Sequence, residues 1–298
     1  MDSLSRLIKG SIDMHIHSSP SLFPRRIDHV ESARLAEEAG MRAIVVKCHH
    51  HSTAPDVVAL HPYALKDLKV QVFGSVALNG YEGGLNPYMV DLTLRMGGKV
   101  VWFPTISSAN HIRHHQAKPN MKFPSQDRKP LQEVPIPVMD ERGELLPASR
   151  QILGMIAEAG AVMSPGHLSP GEALALIQGA RETGVKRVLV NHPEFAMEAS
   201  EAQVQEFVRL GAYIEHSIGM YHPESIFYEF KMEQLIRWIE LSGPERTLLC
   251  SDLGQKNNPL PVEAMRWAAG QLLDRGVREA DLELMMKKNA AWLLGLED

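Results

Sequence analysis

The stretch LAEEAGMRAIVVKCH, residues 35–49, joins a helical pattern that stops at Gly40 to an apolar strand that follows at once. Glycine suits the left-handed position just past the end of many helices. The same succession recurs at residues 155–167, 180–193, 207–217 and 239–252. Helices and strands that alternate in this way predict parallel strands joined by helical crossovers.

N-cap patterns and the strand count extend this rhythm to the whole chain. An Asp or Ser followed three positions later by Glu or Gln predicts helix starts at Asp28, Ser169 and Ser200. Strands are expected at residues 11–17, 43–49, 70–78, 100–106, 161–167, 187–192, 212–217 and 247–252. Eight βα units predict an α/β fold, a (β/α)8 TIM barrel that forms one domain over residues 1–298. The alternative is an open doubly wound sheet, but no G-x-G-x-x-G follows the first strand.

A long connection after the fourth strand, residues 108–147, interrupts the rhythm. It is rich in proline and histidine, and a hairpin is expected to turn at DERG, residues 140–143. Between Ser108 and Lys129, five basic residues stand against one acidic residue, Asp127. Two interpretations are open for this insertion, a solvated loop and a lid that attracts an anionic substrate.

Composition and charge narrow the class of protein. The formal net charge is −5, so no global basic field is available for nucleic acid. No apolar run reaches the 18 or so residues of a membrane span, and the N-terminus has no apolar segment of secretory length. Cys48 and Cys250 lie in separate strands and do not indicate a disulfide scaffold. We expect a cytoplasmic protein with a small-molecule substrate and no nucleic-acid or membrane partner; a homo-oligomer is open.

Polar residues alternate with apolar ones along the first strand. Asp13, His15 and His17 are two positions apart, so their side chains share one face. If that face points into the barrel, both imidazoles reach one point. Asp13 lies one step deeper, and we expect it to orient a ligand or to pair with a base such as Lys47.

Histidines collect at the carboxyl ends of the expected strands, where barrel enzymes place their chemistry. Imidazole nitrogens and a carboxylate oxygen are the ligands that zinc and related divalent metals prefer. The predicted ligands are His15, His17, His167, His192 and Asp252, with Lys47, His49 and Glu215 as further candidates. One such histidine is weak evidence, but the combination predicts a divalent metal, with zinc expected and Mn, Ni or Fe as alternatives.

Other residues near the strand ends are candidates for binding substrate, namely Arg25, Arg26, Asn79, Asn86 and His111. An arginine there can hold a carboxylate or phosphate with two parallel hydrogen bonds, or it can be an exposed surface residue. Asn86 followed by Pro87 equally suits the N-cap and first turn of a helix. Lys47 has two interpretations as well, an ion-pair partner or substrate anchor and a bridging carbamate.

Five motifs follow one another through the chain: DMHIH at 13–17, GH at 166–167, NHP at 191–193, SDLG at 251–254 and KKNAAWLLGL at 287–296. In these motifs and their order the chain resembles the amidohydrolase superfamily, in an uncharacterised branch. The resemblance implies a metal-dependent barrel hydrolase in which His15, His17 and Asp252 are metal ligands. It places His167 and His192 where relatives have the histidines of the fifth and sixth strands.

The fourth strand departs from that family pattern. Many relatives with two metals bridge them by a carboxylated lysine or a glutamate from this strand, and VVWFPTISS, residues 100–108, contains neither. Lys47 or Glu215 could take that role, so one ion and two ions are both open. On the seventh strand, Glu215 is favoured over His216 as the inward residue, although His216 could still reach the rim.

These residues predict hydrolysis of an amide, ester, lactone or related bond in a small, anionic molecule by a metal-activated water. Asp252 is the expected general base, and His192 or His216 is expected to stabilise the oxyanion. Two alternatives within catalysis are a metal-dependent decarboxylase and a phosphoesterase on the same barrel. Outside catalysis, the alternative is a barrel that binds a metal or ligand without turnover.

Overall fold

The computed structural model describes residues 2–117 and 131–297. The strands are β1 (Ile12–Ile16), β2 (Ala43–Val46), β3 (Gln71–Phe73), β4 (Ser75–Ala77), β5 (Val100–Trp102), β6 (Val162–Ser164), β7 (Arg187–Asn191), β8 (Tyr213–Ser217) and β9 (Thr247–Cys250). The helices are α1 (Ser3–Ile8), α2 (His29–Glu38), α3 (Ala54–Leu60), α4 (Pro87–Arg95), α5 (Ala109–Ala117), α6 (Pro147–Ala159), α7 (Pro170–Thr183), α8 (Glu201–Arg209), α9 (Met232–Ser242), α10 (Pro261–Asp274), α11 (Glu279–Glu283) and α12 (Asn289–Leu294). Over the described ranges, a helix thus follows most of the strands.

The strands pair in parallel in two ladders, one of β1 to β3 and one of β4 to β9. The ladders meet at both ends. β3 and β4 are separated only by Gly74, and β1 lies beside the end of β9. There the Asp252 N–H donates to the His15 carbonyl and the His17 N–H donates to the Leu253 carbonyl, each at 2.8 Å. The order of neighbouring strands therefore returns to its start, and the predicted (β/α)8 fold class is confirmed.

The third predicted strand, residues 70–78, was wrong as one continuous strand. Gly74 divides it because the start of α3 packs directly on this residue: a Cβ at Gly74 would lie 2.4 Å from the Cα of Ala54. The Gly74 carbonyl instead accepts a hydrogen bond from Lys99. Most other strands also end before the predicted residue, so the site histidines lie largely in the turns that follow.

The predicted helix starts are confirmed by reciprocal capping. Asp28 accepts a hydrogen bond from the Glu31 N–H at 2.7 Å, and the Glu31 carboxylate accepts one from the Asp28 N–H at 2.9 Å. Ser169 and Ser200 begin α7 and α8 with the same arrangement. These bonds satisfy backbone N–H groups that a helix end leaves free.

Buried apolar residues pack the helices against the strands. One cluster joins residues of most strands, such as Leu189 and Leu248, to Leu293 and Leu294 of α12. Arg187, at the start of β7, donates a hydrogen bond to the Trp292 carbonyl at 3.0 Å. Helix α12 therefore lies at the amino ends of the strands, and the polar residues lie at the opposite, carboxyl ends.

The insertion after β5 is partly helical, because α5 occupies its first part. The sequence analysis did not predict this helix. The turn expected at 140–143 is confirmed by an antiparallel bridge between Met139 and Leu145. The basic segment interpreted as a loop or a lid falls mostly on residues 118–130, outside the described residues.

Over the described ranges, no helix has both the length and the apolar character to cross a bilayer. Cys48 and Cys250 are both free and buried.

Gly254 provides a test of the junction between β1 and β9. Its φ is +119°, and a Cβ there would lie 1.9 Å from the His17 carbonyl oxygen. We expect Gly254→Ala to lower the free energy of unfolding by about 2 kcal/mol or more, because backbone strain adds to the forced separation of the strands. Urea denaturation followed by circular dichroism measures this loss.

Gly143→Ala is the matched control. Gly143 also has a positive φ, +81°, but apart from its two chain neighbours no atom of the described residues lies within 4 Å of a Cβ at this position. Only the conformational penalty of roughly 1 to 2 kcal/mol applies there. If both variants lost the same stability, close packing at Gly254 would not contribute to the junction.

Candidate metal centre

The junction of β1 and β9 brings His15, His17 and Asp252 together. Asp252 Oδ1 lies 3.1 Å from His15 Nε2 and 2.9 Å from His17 Nε2. All three residues are buried, and one ligand atom from each lies within 4.8 Å of the others. Residues from the two ends of the chain therefore form one set of two nitrogens and one oxygen.

The protonation state of this set suits a metal. Burial lowers the pKa of His15 and of His17 well below the ordinary value, which favours the neutral imidazole that binds metals. The His15 Nδ1 lies 2.7 Å from Glu215 Oε1, and this contact leaves Nε2 to face Asp252. A carboxylate behind a histidine in this way fixes the ring and raises its basicity as a ligand. The donor set fits zinc or a related divalent ion.

Glu215 lies behind His15. Its Oε1 also accepts a hydrogen bond from Ser217 Oγ at 2.7 Å, and burial is the main cause that raises the pKa of Glu215 to about 7. Its Oε2 is buried and has no hydrogen-bond partner within the described ranges. The structure therefore places Glu215 in contact with a predicted ligand and leaves one of its oxygens free.

Lys47 is fully buried in the same interior. Its Nζ lies 2.9 Å from His15 Nε2 and 4.1 Å from the centre of the Trp102 ring. Burial lowers the pKa of Lys47 to about 8. Trp102 belongs to the strand that lacks the family's bridging residue, and its ring lies 4.9 Å from that of His15. An aromatic face thus occupies this side of the centre.

His167 and His192 line an inner cavity next to the three-residue set. His192 Nε2 lies 3.6 Å from Asp252 Oδ2, and the two histidine rings lie 4.9 Å apart. His167 Nδ1 lies 2.8 Å from Nδ1 of His111, which joins the cavity from α5. In the described part of the chain, His167 Nε2 and His192 Nδ1 are buried without a hydrogen-bond partner, so both can receive a ligand.

His49 also lines the inner cavity, held by residues of two other strand ends. Its Nδ1 lies 2.9 Å from Thr105 Oγ1. Asn79, a predicted substrate residue, donates through Nδ2 to the same Thr105 oxygen at 2.7 Å and to the His49 carbonyl at 3.0 Å. Asn79 therefore supports His49 and Thr105 and is not among the residues that line the cavity.

Backbone strain marks Asp252 and His192. Both are non-glycine residues with positive φ, +53° and +30°. Such conformations cost on the order of 1 to 3 kcal/mol and concentrate at functional sites. Hydrogen bonds hold both residues in place, since the Asp252 N–H donates to His15 and the His192 N–H donates to the Glu215 carbonyl at 2.7 Å.

Three predicted residues lie away from the inner cavity. His216 is buried against Glu194, with 2.9 Å between Nδ1 and Oε1, because it points to the opposite side of β8 from Glu215. Asn86 accepts the Tyr88 N–H as the N-cap of α4, the alternative that its sequence left open. Arg26 donates to the Asn258 carbonyl at 2.6 Å and lines a separate surface cavity.

Arg25 and Asp13 both contact the predicted metal ligands or their backbone. Arg25 Nη2 lies 3.4 Å from His17 Nδ1. Asp13 Oδ1 accepts the backbone N–H groups of His15 and Ser251, each at 3.1 Å, so it orients β1 against the end of β9. Burial is the main cause that raises the pKa of Asp13 to about 7. The expected pairing of Asp13 with Lys47 is not among its hydrogen bonds with described residues.

Sequence reasoning missed the apolar wall of the inner cavity, formed by Phe195, Met220 and Phe227. These residues lie in loops after β7 and β8, where no periodic pattern distinguishes them from core residues. It also missed Gln255, which lines the cavity and donates to the Asp252 carbonyl at 2.9 Å. The position of Gln255, three residues after the proposed base, was the available signal.

Sequence comparison places the chain in a family. Residues 10–215 match the model of a family of unknown function, DUF6282, and the chain belongs to this family. No curated protein matches the chain in sequence.

Structure comparison finds solved structures with the same fold. An amidohydrolase from Pseudomonas aeruginosa superposes with a TM-score of 0.63 at 13% identity and covers 98% of both chains. A β-aspartyl dipeptidase from Fervidobacterium islandicum gives 0.62 at 14% identity over 96% of this chain and 73% of that chain. A 2,6-dihydroxybenzoate decarboxylase from Rhizobium gives 0.56 at 11% identity over 97% and 100%. This chain therefore shares the fold of these structures, as the sequence resemblance predicted.

The contact between Glu215 and His15 predicts a change in metal affinity. We expect Glu215→Gln to weaken zinc binding by about 10 to 100 fold, because an amide in this place no longer fixes the imidazole as a carboxylate does. Titration against a chromophoric chelator measures the affinity. Glu194→Gln is the matched control, since Glu194 is a buried glutamate that contacts His216 away from the centre. Equal losses in both variants would contradict the role of Glu215.

Proposed function

We propose that this protein is an enzyme whose reaction centre holds one divalent metal ion, expected to be zinc, through His15, His17 and Asp252. Its proposed reaction is hydrolysis of an amide, ester, lactone or related bond in a small anionic molecule. The observation that supports this most is the position of Asp252 Oδ1, 3.1 and 2.9 Å from two imidazole nitrogens at the carboxyl ends of the strands. An ion held by these three residues would still be able to bind water or substrate, as the ion does in catalytic zinc sites.

The chain supplies the proton transfers in this proposal. A bound divalent ion lowers the pKa of water to about 7 and polarises the bond under attack. Asp252 takes a proton from the attacking water and returns it to the leaving group, with Oδ2 on the side of His192. His192 and Lys47 line the same cavity and stabilise the negative charge that develops on the substrate oxygen.

Arg25 supports an anionic substrate. Burial lowers its pKa to about 10, which still leaves the guanidinium charged at neutral pH. Among the described residues, no group accepts a hydrogen bond from its buried Nε. Phe23, His50 and Ile106 line an outer cavity of about 360 Å³ that shares His111 with the inner cavity. We therefore infer a substrate with a carboxylate attached to a planar or apolar group.

Non-oxidative decarboxylation is the second candidate. The apolar wall of Phe195, Met220 and Phe227 can exclude water from the reacting carbon, and Arg25 and Lys47 bring two cations to the interior that would hold a carboxylate. A panel of lactones, amides, phosphate esters and aromatic carboxylates separates the candidates. Release of CO2 supports decarboxylation, whereas oxygen-18 from solvent in the product supports hydrolysis. The phosphoesterase alternative relies on a cluster of metals, and the described residues of the inner cavity supply one three-ligand group.

Asp252→Asn tests the proposed base. We expect the zinc-saturated variant to lose about 100 to 10,000 fold in kcat on the substrate found by the panel, because an amide cannot accept the proton. Steady-state kinetics measures the loss, and metal analysis of the same sample shows how much zinc it holds. Asp67→Asn, at an exposed aspartate, should leave kcat unchanged. A zinc-loaded Asp252→Asn protein with normal turnover would exclude Asp252 as the base.

The two neighbouring arginines provide a matched pair for substrate binding. We expect Arg25→Gln to raise KM for the anionic substrate by about 10 to 100 fold, because a charged hydrogen bond is lost. Arg26→Gln should change KM little, since Arg26 binds the Asn258 carbonyl away from the inner cavity. Equal effects of both substitutions would show that general charge attraction, not contact with Arg25, binds the substrate.

A further inference from the structure

A second group of metal-ligand side chains lies outside the inner cavity. His29 is the first residue of α2, His51 lies in the loop after β2, and Asp56 lies in the first turn of α3. The sequence gives these residues no shared motif, and His51 on its own is an ordinary loop histidine. The fold brings them together because the loops after β1 and β2 lie side by side on the same rim of the barrel.

The three side chains converge on one oxygen. Asp56 Oδ2 lies 2.9 Å from His51 Nε2 and 3.5 Å from His29 Nε2. One ligand atom from each residue lies within 4.8 Å of the other two. Two imidazole nitrogens and one carboxylate oxygen at this spacing are a donor set that zinc and related divalent ions prefer, whereas Mg²⁺ and Ca²⁺ prefer oxygen ligands.

His29 is already oriented as a ligand. Its Nδ1 lies 2.6 Å from Ser18 Oγ, so the other ring nitrogen faces Asp56. A metal-binding histidine commonly has its second nitrogen fixed by an oxygen in this way. His29 is 1% exposed, and its Nε2 has no hydrogen-bond partner among the residues that the structure describes. Burial of a polar atom without a hydrogen-bond partner costs free energy, and a bound ligand would remove this cost.

A simple ion pair accounts for only part of this geometry. A protonated His51 beside Asp56 explains their 2.9 Å contact, but His29 Nε2, 3.5 Å from the same oxygen, still makes no hydrogen bond to a described residue. An ion between the three residues satisfies all of them. The side chains of His51 and Asp56 are 33% and 30% exposed, so an ion can enter from solvent and water can complete its coordination.

We propose that His29, His51 and Asp56 form a second divalent metal site, for zinc or a related transition metal. This site joins the segment between β1 and α2 to the start of α3. The first of these segments includes Arg25, and the second follows His49, which lines the inner cavity, so the ion would fix the positions of both segments relative to each other. The proposal concerns binding and does not depend on the reaction at the inner cavity.

Metal counting tests the second site. Protein stripped with a chelator and dialysed against zinc should hold two equivalents, and Asp56→Asn should hold one fewer, as measured by plasma mass spectrometry. A background variant, His17→Gln with Asp252→Asn, disables the inner centre and should retain one equivalent. Addition of Asp56→Asn or His29→Gln to that background should remove it. Circular dichroism on each variant shows that a loss of zinc does not reflect unfolding.

Two further variants of the background distinguish a built site from chance binding. Ser18→Ala should weaken zinc binding by about 10 to 100 fold, since it removes only the group that orients His29. His61→Gln, at an exposed histidine just past α3, should have no effect. The proposal is overturned if the background binds no zinc, if Asp56→Asn keeps the full amount, or if His61→Gln loses as much as Asp56→Asn. If Asp56→Asn kept the full amount of zinc, the contact between His51 and Asp56 would be an ion pair only.

Discussion

The junction between β1 and the end of β9 is the constraint on which the rest of the structure depends. Two backbone hydrogen bonds of 2.8 Å join His15 to Asp252 and His17 to Leu253. The buried carboxylate of Asp13 reinforces them by accepting N–H groups from both sides of the junction. The same contacts that bring the first strand beside the last therefore set the distances between the proposed metal ligands. The contacts that close the fold are thus also the contacts that assemble the centre.

This closure explains how much could be predicted from sequence. Helix caps and strand positions depend on local patterns, and capping boxes such as the one at Asp28 were found as predicted. The break at Gly74 could not be predicted, because it arises from contact with Ala54 on α3. Alternation along a strand gave the orientation of Glu215, since a strand has a period of two. A side chain in a loop beyond a strand end, such as Arg26, follows the path of its loop, and no such rule applies to it.

The buried charged groups of the centre lower the stability of the folded protein. Asp13, Lys47 and Glu215 are all fully buried, and burial of charge costs several kcal/mol unless partners compensate. Here the compensation is incomplete. Burial shifts the pKa of each of the three groups in the direction that favours its uncharged form. One oxygen of Asp13 and one oxygen of Glu215 also lack hydrogen-bond partners among the described residues. A protein selected for stability alone would replace such groups with apolar ones. Buried groups of this kind are typical of functional sites, where stability is exchanged for function.

The two metal-ligand groups differ in how the fold supports them. The inner group lies on strand ends that the barrel holds rigidly, so its geometry follows from the sheet. The outer group of His29, His51 and Asp56 lies on two helix starts and one loop at the rim, outside the sheet. An ion there would hold these segments together, as backbone hydrogen bonds hold β1 beside the end of β9. Because Arg25 lies in the segment that leads to His29, the precision with which the chain holds an anionic substrate would then depend on a ligand set that takes no part in the reaction.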